Sequence, residues 1–226
     1  MAGKDNIQAK ILEHLMSSGF SSGATIREVD LAGIFGVGIT PVREALNNLE
    51  AKGFVERRKR KGTYLKPFSL KELWELYDLR SVLEGLAVRL MCGAAAPGAI
   101  KELRLLAEEY EEKKPGKKRS VLSQLDYEFH SKIVEYCGNE RLKVQVKESH
   151  AITKFFYVDG SEYVAEIALK NPYTHLRIVS AEEKTDGIHA EKLMRRHVEW
   201  AKENTVKRMI AEGADSLQDA VQHGRG

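Results

Sequence analysis

Apolar residues recur at three- and four-residue spacing through most of this 226-residue chain, the period of helices buried along one face. Ile7, Ile11, Leu12 and Leu15 predict a first helix, with His14 on the surface. Gly19 to Thr25, rich in Ser and Gly, predicts a loop, and Ile26 restarts ordered structure. Leu31, Ala32 and Ile34 predict a short helix that breaks at Gly36 and Gly38, where unusual backbone angles cost little. Val42, Ala45, Leu46 and Leu49 predict a third helix, leaving Arg43, Asn47 and Asn48 on other faces. Thr40 stands where an N-cap oxygen would accept a backbone N–H, Pro41 fills a first-turn position, and Glu44 lies near the positive end of the dipole. Gly53 ends this helix; Phe54 and Val55 open a strand, and Thr63, Tyr64 and Leu65 return as a second.

After Pro67 and Ser69 the pattern becomes purely helical. Leu73, Leu76, Leu79, Val82, Leu83, Leu86, Ala87 and Leu90 form a long apolar stripe, closed by Gly93 to Gly98. Further helices are predicted over Ala99–Glu112, Val121–Tyr136, Glu140–Val158, from Tyr163, over Tyr173–Lys184 and over His189–Glu212. Charged residues around Pro115-Gly116 make a loop, and Gly138 makes a C-cap. The expected fold class is mostly α: an N-terminal winged helix-turn-helix of three helices plus a β-hairpin wing, then an all-α bundle of six to seven helices. The expected domains are residues 1–68 and 69–213, with 214–226 a flexible tail.

Charge sharpens this division. Residues 1–68 hold 11 Lys+Arg against 7 Asp+Glu, a net +4, whereas the remainder is net −1. No apolar run approaches the ~20 residues that span a bilayer, and Met1 to Lys10 lacks a signal-peptide core, so no membrane contact and a cytoplasmic location are expected. Cys92 and Cys137 are too few and too isolated for a disulfide framework, and read as buried thiols.

Two helices joined by a tight glycine turn, the second with a partly basic N-terminal half, fit a helix-turn-helix, although an ordinary helical hairpin has the same spacing. The basic turn that follows, Arg57, Arg58, Lys59, Arg60, Lys61 and Gly62, reads either as a wing or as a solvated charge run. Five consecutive cations repel one another unless a polyanion neutralises them, which favours the wing. The stretch LAGIFGVGITPVREALNNLEAKGFV, from Leu31 to Val55, resembles the DNA-binding domain of GntR-type winged-helix regulators in its LA, its GV turn, its TPVREAL recognition helix and its glycine before the wing. The resemblance spans about Ile7 to Pro67. It implies that Thr40, Arg43 and Gly62 approach a double-stranded DNA operator, with Arg57 to Lys61 neutralising phosphate. Gly38-Ile39 replaces a frequent Ser-Arg, and Val29 stands where another basic contact is frequent. A lost guanidinium removes a base contact worth about 1–3 kcal/mol, so the operator sequence does not carry over from relatives.

In the helical part, Asp126 and His130 are four apart and share one helix face beside Phe129 and Ile133. Alone, the pair reads more simply as a hydrogen-bonded Asp–His than as two metal ligands. His175 and His197 alter that balance. Over about Leu70 to Ile210 the chain resembles the FCD effector domain of FadR-type GntR regulators, through LYDLRSVLEGLAVRL at Leu76, LDYEFHSKIVEYCGNERL at Leu125 and MRRHVEWA at Met194; Thr174-His175 stands for the usual Glu-His. The resemblance implies that Asp126, His130, His175 and His197 meet around a divalent metal, Zn or Ni, with positions left for water or a small carboxylate. Arg80 is the candidate cation for that carboxylate; its other reading is an i,i+4 pair with Glu84. His189 is expected to be exposed, and His150 is unassigned. The function implied is a homodimeric transcription regulator on a pseudo-palindromic operator, responsive to a small carboxylate effector. The competing readings are a metal-dependent hydrolase, with Glu84 as its general base, and a purely structural metal.

Overall fold

The computed structural model describes residues 2–17, 24–59, 61–66, 69–94, 97–113, 119–158 and 171–211. The chain divides into two units, Met1–Phe68 and Ser69–Gly226. The first contains α1 (Ala2–Ser17), β1 (Thr25–Ile26), α2 (Glu28–Phe35), α3 (Ile39–Ala51), β2 (Val55–Arg58) and β3 (Gly62–Leu65). Ile7, Ile11 and Leu15 of α1 meet Leu31 of α2 and Val42, Ala45, Leu46 and Leu49 of α3 in a core completed by Phe54, Val55 and Leu65. His14 is half-buried, its ring edge-on to Phe35, instead of lying on the surface.

The turn between α2 and α3 depends on Gly36, whose φ of +62° is left-handed, and Val37 N–H returns to Ala32 O at 3.1 Å. Gly38 is extended and occupies the N-cap, so α3 begins at Ile39 and no side chain caps it. The N-cap role expected of Thr40 is therefore corrected: Thr40 already lies inside the first turn. The wing hairpin pairs Val55 with Leu65 and Arg58 with Gly62. A third strand escaped the sequence reading. β1 pairs Thr25 with Tyr64 and Ile26 with Thr63, and two residues are too few to show an alternation.

The second unit holds α4 (Leu70–Ala94), α5 (Pro97–Lys113), α6 (Arg119–Tyr136), α7 (Glu140–Val158), α8 (His175–Glu183) and α9 (Gly187–Ala211). Side-chain caps fix several starts. Ser69 and Glu72 exchange bonds as a capping box, and Asn139, Thr174 and Asp186 accept from the N–H of Leu142, Arg177 and His189. Helix α4 lies along α9, and Gly85 permits the close approach, because a Cβ there would meet Arg195 Cγ at 2.8 Å. The stripe expected to bury α4 is displaced: Leu79 and Val82 are each 47% exposed, while Leu73, Tyr77, Arg80, Ser81, Glu84, Val88 and Met91 face inward. An apolar-only reading skipped Arg80 and Glu84, which are buried as a pair. The expected loops around residues 19–23 and 114–118, the helix resuming at Tyr163, and the tail lie outside the described residues.

Glu182 on α8 is fully buried, and neither carboxylate oxygen has a hydrogen-bond partner among the described residues. Burial, reinforced by Glu183, pushes its carboxyl from 4.5 up to about 8. Because the folded value is raised, its contribution to stability is fully present below about pH 4.5 and is lost as pH rises through about 8. Replacing Glu182 by Leu should raise the melting temperature, by an amount that grows from pH 5 to pH 8.5 and corresponds to a few kcal/mol at the alkaline end. Thermal melts of both proteins across that range check it.

Candidate metal centre and nucleic-acid interface

The structure brings together the four expected ligands. Asp126 and His130 project from α6, His175 opens α8, and His197 comes from the middle of α9. Asp126 Oδ1 lies 3.3 Å from His175 Nε2, 3.8 Å from His130 Nε2 and 4.0 Å from His197 Nε2. The Nε2 atoms of His130 and His197 are 3.3 Å apart. The imidazoles are buried, and Asp126 keeps one partly open side. His175 is wedged in place by Phe129, stacked at 4.2 Å, and by the edge of Tyr110 at 4.7 Å.

Proton positions follow from the outer partners. His197 Nδ1 is 2.7 Å from the Tyr173 carbonyl, which can only accept, so Nδ1 carries the hydrogen and Nε2 a lone pair. His130 Nδ1 sits 2.5 Å from Glu84 Oε2, and although burial lowers the His130 pKa, Glu84 and Asp126 together raise it above the ordinary imidazole value, favouring the charged ring. His130 Nε2 can therefore donate to the His197 Nε2 lone pair at 3.3 Å, while His175 Nε2 approaches Asp126 Oδ1 at 3.3 Å and its Nδ1 has no hydrogen-bond partner among the described residues. Ligands on a tetrahedral ion with ~2.05 Å bonds sit roughly 3.4 Å apart, so the spacing and donor set fit a divalent cation such as Zn. Burial lowers His197 to about 3, aided by His175 and His130; burial also lowers His175, against the pull of Asp126. Burial would raise the Asp126 carboxyl, but His130, His175 and His197 more than reverse it. The shifts of Asp126, His175 and His197 favour the unprotonated donors that a cation requires, whereas His130 would have to release a proton to bind one.

A second cluster adjoins the first through His130; the sequence offered its Arg80–Glu84 pair but did not join His150 or Thr153 to it. Glu84 Oε1 receives Arg80 Nε–H at 2.7 Å and lies 2.9 Å from His150 Nε2, and Arg80 Nη1 donates to Thr153 Oγ1 at 3.1 Å. All four side chains are buried. Burial would raise Glu84, yet Arg80, His150 and His130 hold it well below the usual carboxylate range. Of the two readings of Arg80, this structure displays the pair with Glu84. The signal for His150 was weak because polar Ser149, His150 and Thr153 share the buried face of α7 with Leu142 and Val146 among the described residues.

In the first unit, Thr40, Arg43, Arg57, Arg58, Lys59, Lys61 and Gly62 are exposed; Arg60 lies outside the described residues. Arg43 is held by Glu28 of α2, with Nε 3.0 Å and Nη2 2.9 Å from Oε2, and Arg57 Nη2 approaches the other oxygen at 3.5 Å. Arg58 stacks over Tyr64 at 4.5 Å and pairs with Glu56.

A helix-turn-helix followed by a basic hairpin, and then an all-helical bundle, define a winged-helix transcription regulator. Residues 4–65 match the bacterial regulatory proteins of the gntR family and residues 75–199 match the FCD domain; the chain belongs to the GntR family and carries an FCD domain. It is 38% identical over 128 residues to the Nta operon transcriptional regulator of Aminobacter aminovorans, covering 57% of this chain and 60% of that protein. It is 28% identical over 203 residues to the uncharacterized HTH-type regulator YdhC of Bacillus subtilis (strain 168), covering 87% and 88%. The solved structure of E. coli McbR/YncC has the same fold, with a TM-score of 0.78 at 18% identity over 91% of this chain and 97% of that one. A GntR structure from Rhodococcus sp. RHA1 gives 0.72 at 18%, covering 92% and 99%. These relatives are regulators and not enzymes, so the hydrolase reading is dropped. Among the described residues no helix is long and apolar enough to cross a membrane.

The Arg80–Glu84 pair generates a stability test. Arg80→Met should cost about 3–5 kcal/mol by leaving a buried carboxylate uncompensated, and adding Glu84→Gln should recover part of it. Urea denaturation of the single and double variants reads both values.

Proposed function

We propose that this chain works as a homodimer whose affinity for a pseudo-palindromic double-stranded operator is set by a small organic acid bound beside a divalent metal, Zn or Ni. The observation that carries the sensor half is the convergence of Asp126 Oδ1 and three buried imidazole Nε2 atoms within 4.8 Å of one another. Asp126, His130, His175 and His197 would hold the ion, which when bound supplies a positive site for a carboxylate. Arg80 already grips one carboxylate, Glu84. An acidic effector would compete with Glu84 for the guanidinium and so disturb α4.

On the DNA side, Arg43 and Thr40 belong to the exposed face of the recognition helix, and Arg57 to Lys61 meet phosphate. Regulation requires the acid to bind one arrangement of the dimer better than another. The exposed apolar stripe of α4, Leu79, Val82 and Leu90, supports pairing through this helix, since a two-fold axis sets the same stripe against itself.

Excess Zn or Ni should raise the melting temperature by the equivalent of about 3 kcal/mol at a hundredfold excess over Kd, and His175→Ala should erase the gain. Operator binding, followed by fluorescence anisotropy with and without the metal and candidate acids, should change in the wild type, stay fixed in His175→Ala and fall roughly 5- to 150-fold in Arg43→Ala. Identical operator affinity in every condition would remove the switching mechanism. Leu79→Glu with Val82→Glu should shift the sedimentation coefficient from dimer to monomer; a dimer unaffected by both changes would place the interface elsewhere.

A further inference from the structure

We infer that Ile39 reads the 5-methyl group of a thymine in each operator half-site, within about two base pairs of the base engaged by Arg43. This deepens the DNA-binding reading above and rests on it. Ile39 is the first residue of α3, 42% exposed, on a surface whose neighbours Thr40, Arg43, Glu44 and Asn47 are polar and also exposed. The first turn of a recognition helix is the part that reaches base edges. Gly38 before it has no side chain to screen it, and a Cβ there would touch only Pro41 Cδ, at 3.8 Å.

A single exposed isoleucine is ordinary on a protein surface. Two further features give this one a direction. Arg43 lies one turn later on the same face, and Glu28 fixes its guanidinium through contacts of 3.0 and 2.9 Å, so the polar contact is aimed before DNA arrives. Val29, the residue after Glu28 on α2, is a second branched apolar side chain and is 61% exposed. Four residues of helix advance about 6 Å, and successive bases are about 3.4 Å apart, which sets the two-step limit.

The chemistry then selects the base. In the major groove only thymine presents an apolar group, its methyl, whereas the cytosine amino group at the equivalent edge would lose its hydrogen-bond partner against an aliphatic chain. The wing cations Arg57, Arg58, Lys59 and Lys61 supply sequence-independent attraction, leaving Ile39 to discriminate.

The test uses the full chain. A duplex is selected from randomised DNA, and its affinity is compared at one salt concentration with copies carrying dU in place of each dT, a change that removes only the methyl. One position per half-site should lose about three- to fivefold in affinity, the worth of one buried methyl group. In Ile39→Ala that penalty should vanish, and Ile39→Arg should move the selected base from thymine to guanine. Uracil tolerated at every position, or an undiminished penalty in Ile39→Ala, overturns the inference while leaving DNA binding intact. Failure to select any sequence overturns the DNA-binding reading itself.

Discussion

Three buried imidazoles gathered beside the Asp126 carboxylate, with the Nε2 atoms of His130 and His197 held 3.3 Å apart, are the constraint around which the helical unit is organised. Such a cluster needs a positive charge to offset its carboxylate, supplied either by a proton held between His130 and His197 or by a cation among the donors. The surrounding residues enforce it. The Tyr173 carbonyl and Glu84 keep hydrogens on the far nitrogens of His197 and His130, while Phe129 and Tyr110 stop His175 from turning away. Burial then keeps His175 and His197 neutral, the form in which imidazole donates.

Glu84 ties this centre to a second buried network. One carboxylate group contacts His130, His150 and Arg80, so α4, α6 and α7 share a single polar junction. Each partner offsets the desolvation of the others. With Arg80 and Glu84 turned inward beside Leu73, Tyr77 and Ala87, the side of α4 that carries Leu79, Val82 and Leu90 is left exposed.

Glu28 does comparable work in the first unit. It fixes Arg43 and approaches Arg57, joining recognition helix and wing through one carboxylate. Both guanidiniums remain exposed, so the pairs are weak enough for a phosphate or a base edge to replace.

The sequence by itself determined the helices, the glycine turn, the wing and the family, because these rest on local periodicity, caps and consecutive motifs such as TPVREAL. Asp126 and His130 were legible as one face because four residues make a turn. The membership of His150 was not, since its partner Glu84 lies 66 residues away in the chain. The rotation of α4 was misread because a buried Arg–Glu pair counts as polar in any periodicity, and β1 was too short to register. Only the tertiary structure decided which side chains meet, for the physical reason that convergence of four ligand atoms within 4.8 Å depends on how helices pack, and packing is not a local property of the chain.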